Sequence, residues 1–559
     1  MIDNGIVPAE RAWFKSWPKY IPKNLKYPDV PLFENLETSA RRYPDKNAMI
    51  YYGTRISYKQ WWEDSLNFAG YLKQAGVKKG DRISIYAPNT PHYAIGFYGI
   101  LRANAVVVTL DPMLSEEELA YLINDSGSKI LITMGYALPL INKIKAQTCL
   151  ETIVAGDFDD YLPENLELPI SDFLLAKGQY DKATVKWSTV IDQKFEPPGV
   201  EVDSNSNALL FYTSGTTGKR KAALHTHKAQ VATTVRTSGW LNYNSSSIHL
   251  TALPFFHVTG LNVILSASVY TGGTMVVLTR WDREAAILAV EKYRCTHWIN
   301  ITAMVVDMLA SPDIAKSDIS SFIVFGGGGA PLPTAIGEKL KAMGIEYAEG
   351  FGLSEAGAAT HMNPVDNTKL QCIGLPGPDV DSLIMDPGTN EIMPQGEQGE
   401  LILRSPSMFE GYWNKPEATA EAFVEYDGQK WLRTGDLGYM DDEGFFFIVD
   451  RLKRMINRAG LKVWPTAVEG TMYRHPAIKE ACIISVPDER VGEEVAAVIV
   501  LNENKKDQTS EEDIISWSKQ NMASYEYPRV IKFVDELPKT ATGKILWRKL
   551  QEQNREKRS

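Results

Sequence analysis

The chain has 559 residues, too many for one hydrophobic core of ordinary size, so at least two domains are expected. Apolar residues make up 44% and charged residues 23% of the chain, which excludes a disordered or fibrous protein. Lys and Arg total 59 against 69 Asp and Glu, a net charge of -10 with no overall footprint for nucleic acid.

In chain order, the opening segment MIDNGIVPAERAWFKSW has no uninterrupted apolar run behind a basic start, so no secretory signal is expected. The overlapping stretch AWFKSWPKYIPKNLKY reads as packing onto the protein; peripheral contact with a membrane and docking on a second subunit, as in a homodimer, stay open as alternatives. Short apolar runs (RISIYAP, ANAVVVTLDP, KILITM, THWINIT, SSFIVFG) alternate with the helical patterns EEELAYLINDSG and DREAAILAVEKY. Near-continuous apolar strands separated by helices predict parallel sheets covered on both faces, an α/β fold.

The longest apolar stretch, residues 261–278, is interrupted by Asn262 and Gly272-Gly273. It reads as a helix, a turn and a strand in a buried core, so no transmembrane segment is expected. After about residue 365 the texture shifts to Gly- and Pro-rich segments with short strands (CIGLPGPDV, GELILRSPS, GFFFIVDR), which predicts a small β-barrel-like subdomain within the large unit. The charged DRLK at 450–453 marks a boundary. Residues 1–450 are expected to form the N-terminal domain and 451–559 a smaller α+β C-terminal domain ending in a helix, with a hinge at 451–454. The four cysteines, Cys149, Cys295, Cys372 and Cys482, are far apart and form neither a CxxC pair nor a metal cluster. A reducing, cytoplasmic location fits them.

Residues 209–227, LLFYTSGTTGKRKAALHTH, run from an apolar strand into six consecutive Gly, Ser or Thr residues and then three basic ones. Such a loop offers backbone N–H groups, hydroxyls and cations to a polyphosphate, although a plain surface turn has a similar composition. A P-loop is a poor match, because Gly215 and Gly218 are too close for GxxxxGK[ST] and Gly543-Lys544 is followed by Ile545.

YTSGTTGKRKAALHTH resembles the signature loop of the adenylate-forming (AMP-binding) superfamily, which includes acyl-CoA synthetases, luciferases and peptide-synthetase adenylation domains. The resemblance implies that Thr213, Ser214, Gly215, Thr216, Thr217, Gly218 and Lys221 embrace the ATP phosphates, with Thr213 also near the metal. Arg220 and Ala222 stand where the family mostly has Pro and Gly.

Six further segments follow in the family's order, so the resemblance covers roughly residues 30 to 550. From LPFFHVTG it implies that His257 lies where the carboxylate meets the acyl pocket, and from FGGGGAPLP that Gly329, Ala330 and Pro331 wall the adenine site. In YAEGFGLSEAG it places Glu349, Gly350, Phe351 and Gly352 along the nucleotide, with Phe351 stacking on adenine, Ser354 on the α-phosphate and Glu355 on Mg²⁺. In WLRTGDLGYMDDEGFFFIVDRLKR it gives Asp436 and Arg451 to the ribose and Lys453 to the hinge of a mobile C-terminal domain. In AGLKVWP Gly460 meets coenzyme A, and in PKTATGK the catalytic Lys544 joins carboxylate and α-phosphate.

The function implied is that of a fatty acyl-CoA synthetase, with ATP, Mg²⁺ and coenzyme A as its small-molecule requirements. A carboxylate, already ionised at neutral pH, attacks the α-phosphorus without any protein nucleophile, and the acyl group then passes to the thiol. The apolar segments 258–277 and 298–309 favour a long- or medium-chain acid. An aryl or short hydroxy acid, and a non-catalytic nucleotide-binding protein, are the competing readings.

Overall fold

The computed structural model describes residues 11–213, 220–540 and 545–555. They fall into two compact units: residues 16–381 and 404–430 make the first, and residues 11–15, 382–403 and 431–555 the second. The fold is mixed α/β, with parallel sheets in the large N-terminal part and a smaller C-terminal part. Residues 382–403 and 431–450, expected within the N-terminal domain, are grouped here with the C-terminal residues.

The first unit contains two sheets. In one, the strands Asn47–Tyr51, Thr274–Val277, Ile248–Thr251, His297–Asn300, Val324–Gly328 and Tyr347–Leu353 run parallel, with antiparallel strands at both edges. In the other, Thr184–Lys186, Thr152–Gly156, Ile130–Met134, Arg82–Tyr86, Val106–Leu110 and Asn207–Tyr212 are parallel, and the antiparallel strands Ala222–Thr226 and Gly411–Tyr412 complete one side.

Every residue of Val106–Leu110 and of Ile130–Met134 is buried, as continuous apolar runs require when helices cover both faces. The pattern EEELAYLINDSG forms the helix Glu116–Ser126. Ser115 and Glu118 close a capping box at its start, and Gly127 ends it in the left-handed conformation with φ of 67°. Residues 261–278 give helix, turn and strand as the sequence predicts, beginning with a π-helix, Thr259–Ser266. Among the described residues no helix is long and apolar enough to cross a membrane.

In the second unit, Gly399–Arg404 pairs antiparallel with Gln429–Met440, and that strand with Phe446–Arg451. A second sheet pairs Ile478–Asp488 with Gly492–Leu501, which carries Val530–Phe533 in parallel on its other side. Its residues alternate between two cores. Ala481, Ile483, Val495, Ala497 and Ile499 pack with Val468 and Met472 of the helix Pro465–Met472. Cys482, Ile484, Ala496 and Val498 pack with Trp547 and Leu550 of the helix Trp547–Arg555.

Candidate active site

The C-terminal ends of parallel strands in both sheets of the first unit carry several of the predicted residues, the place where open α/β sheets bind ligands. Asn207–Tyr212 leads into the Gly- and hydroxyl-rich loop, Val324–Gly328 into Gly329, Ala330 and Pro331, and Tyr347–Leu353 into the short helix Ser354–Ala356. Residues Ser214 to Gly218 of the loop lie outside the described residues. Its two ends are joined: Tyr212 pairs with Ala222, and the Thr213 N–H donates to the Lys221 carbonyl at 2.9 Å.

The turn bearing Ser354 and Glu355 is fixed from the opposite sheet. His225 Nε2 lies 2.8 Å from the Ser354 carbonyl oxygen, and since that oxygen only accepts, Nε2 carries the proton. Burial lowers the His225 pKa to about 4, so the ring is a neutral donor at physiological pH. The Phe409 N–H donates to the Glu355 carbonyl at 2.8 Å. Tyr412 Oη donates to Glu355 Oε1 at 2.6 Å, and Lys221 Nζ sits 5.0 Å from the centroid of the Tyr412 ring. Lys221 and Glu355, from different sheets, therefore share one neighbour.

A buried arginine supports this turn from behind. Arg236 donates to Ser405 Oγ, Ser407 Oγ and the Ala359 carbonyl, and Ser407 Oγ donates to the Ala356 carbonyl at 2.9 Å. Gly357 follows in the left-handed conformation with φ of 76°, where a Cβ would lie 2.6 Å from Thr233 Oγ1.

The glycine run 326–329 has a packing role. A Cβ at Gly327 would lie 2.0 Å from the Asn300 carbonyl oxygen, and one at Gly328 2.2 Å from that of Gly350. Beyond it, Thr302 Oγ1 donates to the Ala330 and Pro331 carbonyls. Phe351 packs edge-on against His361 at 5.9 Å. The Glu349 side chain is buried among the backbone N–H groups of Leu332 and Gln371, and burial raises its pKa to about 8. It is thus turned into the protein. His257, half-buried ahead of the π-helix, accepts from the Thr259 N–H at Nδ1.

In the second unit Asp436 and Arg451 are register partners across antiparallel strands, with Arg451 Nε 2.9 Å from Asp436 Oδ1. Lys453 lies in the single turn Leu452–Arg454. Gly460, with φ of 89°, occupies the hairpin between Ile456–Arg458 and Leu461–Val463. Lys544 lies outside the described residues.

A model of AMP-binding enzymes matches residues 36–413, and one of the C-terminal domain of AMP-binding enzymes matches 467–544. The chain belongs to the AMP-binding enzyme family. A long-chain-fatty-acid–CoA ligase of Bacillus subtilis (strain 168) is 35% identical to this member over 98% of this chain and 99% of its own. A feruloyl-CoA synthase of Amycolatopsis sp is 31% identical over 91% and 96%. Among solved structures, ATP-bound MatB from Rhodopseudomonas palustris shares the fold of this AMP-binding enzyme. Its TM-score is 0.83 at 24% identity, covering 94% of this chain and 99% of that one.

Tyr412, His225, Arg236 and Ser407 are the residues at this site that motif reading did not single out. The sequence carries a weak signal for two of them: His225 is the first of the two histidines near the end of the signature segment, and Tyr412 stands in a GYW triplet.

Proposed function

We propose that this enzyme is an acyl-CoA synthetase that joins ATP and a carboxylic acid into an acyl-adenylate, releases PPi, and transfers the acyl group to the thiol of coenzyme A with release of AMP. The observation that carries the reading is the convergence of Lys221 and Glu355 on Tyr412 at the mouths of two parallel sheets. It brings a cation suited to phosphate beside a carboxylate suited to a hard metal ion.

The donor set fits Mg²⁺. Glu355 Oε2 has no partner among the described residues, and the hydroxyls of Ser354 and Thr213 add hard oxygen donors. When bound, Mg²⁺ neutralises charge developing on the departing PPi. Lys221 holds the β and γ phosphates, Ser354 the α-phosphate, and Asp436 with Arg451 the ribose. Lys544 neutralises the acid's carboxylate and the α-phosphate, two anions that repel as the carboxylate attacks and the P–O bond to PPi breaks. The C-terminal domain, hinged at 451–454, then turns about Lys453 and replaces Lys544 with the 459–465 segment, where Gly460 lets the thiol arm pass close to backbone.

A long- or medium-chain fatty acid is the substrate the segments around His257 favour. Phe255, Val258, Leu261 and Val263 are buried there, and Trp298 stacks on Trp281 with ring centroids 5.4 Å apart. The fatty-acid ligase named above supports this acid class. The feruloyl-CoA synthase supports the second reading, an aryl acid. Four unbridged cysteines fit a cytoplasmic enzyme.

Acyl-CoA formation from ATP, CoA and a panel of C2 to C18 and aromatic acids tests the proposal. Thioester with one acid class identifies it, and thioester with none overturns the transfer to CoA.

A further inference from the structure

Tyr412 lies outside the residues to which the nucleotide has been assigned, yet it touches two of them. Its hydroxyl donates to Glu355 Oε1 at 2.6 Å, and its ring carries the Lys221 ammonium at 5.0 Å. The ring is held in place by backbone. Tyr412 pairs with Ala223 across the strands Gly411–Tyr412 and Ala222–Thr226, its N–H donates to Thr419 Oγ1 at 2.9 Å, and Phe409 packs edge-on against it at 5.0 Å.

A carboxylate oxygen only accepts, so in this contact the tyrosine hydroxyl is the donor. A carboxylate with one oxygen so engaged keeps the other for a cation. Glu355 Oε2 has no partner among the described residues, whereas Oε1 is held.

We propose that Tyr412 is a positioning residue for the phosphate end of the nucleotide: its hydroxyl orients Glu355 so that Oε2 faces Mg²⁺, and its ring seats Lys221 for the phosphates. The two functions sit on different atoms of one side chain. Tyr412→Phe removes the first and keeps the second, and Tyr412→Leu removes both.

Calorimetric titration of the full chain with ATP, in the presence of Mg²⁺ and again with EDTA, separates them without turnover. The inference rests on the adenylation reading, under which the wild-type protein binds ATP more tightly with Mg²⁺ than with EDTA. Loss of one hydrogen bond to a charged carboxylate is expected to cut that Mg²⁺-dependent gain about tenfold in Tyr412→Phe, with the EDTA affinity unchanged. Tyr412→Leu is expected to weaken binding under both conditions. Wild-type protein with no Mg²⁺-dependent gain sinks the adenylation reading itself. A wild-type gain fully retained in Tyr412→Phe, a variant that keeps the packing of the ring, overturns this inference alone.

Discussion

Asp436 and Arg451 stand opposite each other on adjacent antiparallel strands, with Arg451 Nε 2.9 Å from Asp436 Oδ1. The backbone sets this pair: register places the two Cα atoms as partners, and Thr434 Oγ1 accepts from the Asp436 N–H at 3.0 Å. A carboxylate held this way can accept both hydroxyl protons of a ribose diol while the guanidinium fixes its rotamer. Asp436→Ala is expected to raise the KM for ATP on the order of tenfold to a hundredfold. Arg451→Ala added to it is expected to cost less than it does alone, because the two act as a unit. Steady-state kinetics of the single and double variants checks this; unchanged KM with lowered thermal stability would assign the pair to structure alone.

Glu349 is expected to make stability fall with rising pH. Burial raises its folded pKa from the ordinary 4.5 of a glutamate to about 8, so the folded state keeps the proton that the unfolded chain releases. Its contribution is complete below about 4.5 and is lost as pH rises through about 8. Glu349→Gln mimics the protonated form, since Oε2 has no hydrogen-bond partner and is the natural seat of the proton. Urea unfolding should show the Gln variant gaining on the wild type by on the order of 1 kcal/mol per pH unit between pH 5 and 8. Parallel pH curves would contradict the buried protonated carboxyl.

Buried histidines act in the opposite direction. Burial lowers the pKa of His225, His227 and His297 to about 4 and of His361 to about 3. The stability they contribute is present above the unfolded value of about 6.5 and is lost as pH falls through about 4, by up to about 1.4 kcal/mol per pH unit for each ring. Unfolding at pH 7 and pH 5 is expected to show a steep loss, reduced by about 1–2 kcal/mol in His361→Gln. Since His225 stays neutral as it donates to Ser354, the pH profile of adenylation should show no step from it between pH 5 and 8.

The parallel strands were legible because runs such as KILITM are apolar at every position, and only a strand covered on both faces buries all five residues of Ile130–Met134. The Ser354-Glu355 turn and the segment 326–331 were legible as motifs. Tyr412 was not, because it lies 57 residues from Glu355 and is delivered by a two-residue strand whose place is set by pairing with Ala222–Thr226. Glu349 lay in the right motif, but its inward turn depends on the backbone of Leu332 and Gln371, which no spacing reveals. Residues 382–403 and 431–450 read as part of the large domain from texture, while the long strand Gln429–Met440 pairs them with one another in the second unit.

Lys544→Ala is expected to separate the half-reactions. Removing the charge that joins the carboxylate to the α-phosphate should slow adenylation by about a hundred- to a thousandfold and leave thioester formation from supplied acyl-AMP within a few-fold of wild type. Single-turnover assays of each half-reaction check it; equal loss in both would contradict a C-terminal domain that presents different residues to the two steps.

Acid-dependent exchange of labelled PPi into ATP, measured with Mg²⁺ and without coenzyme A, tests adenylation most directly. Exchange that depends on an added carboxylic acid and disappears in Glu355→Ala is the predicted result. No exchange with any acid of the C2 to C18 and aromatic panel would contradict the account.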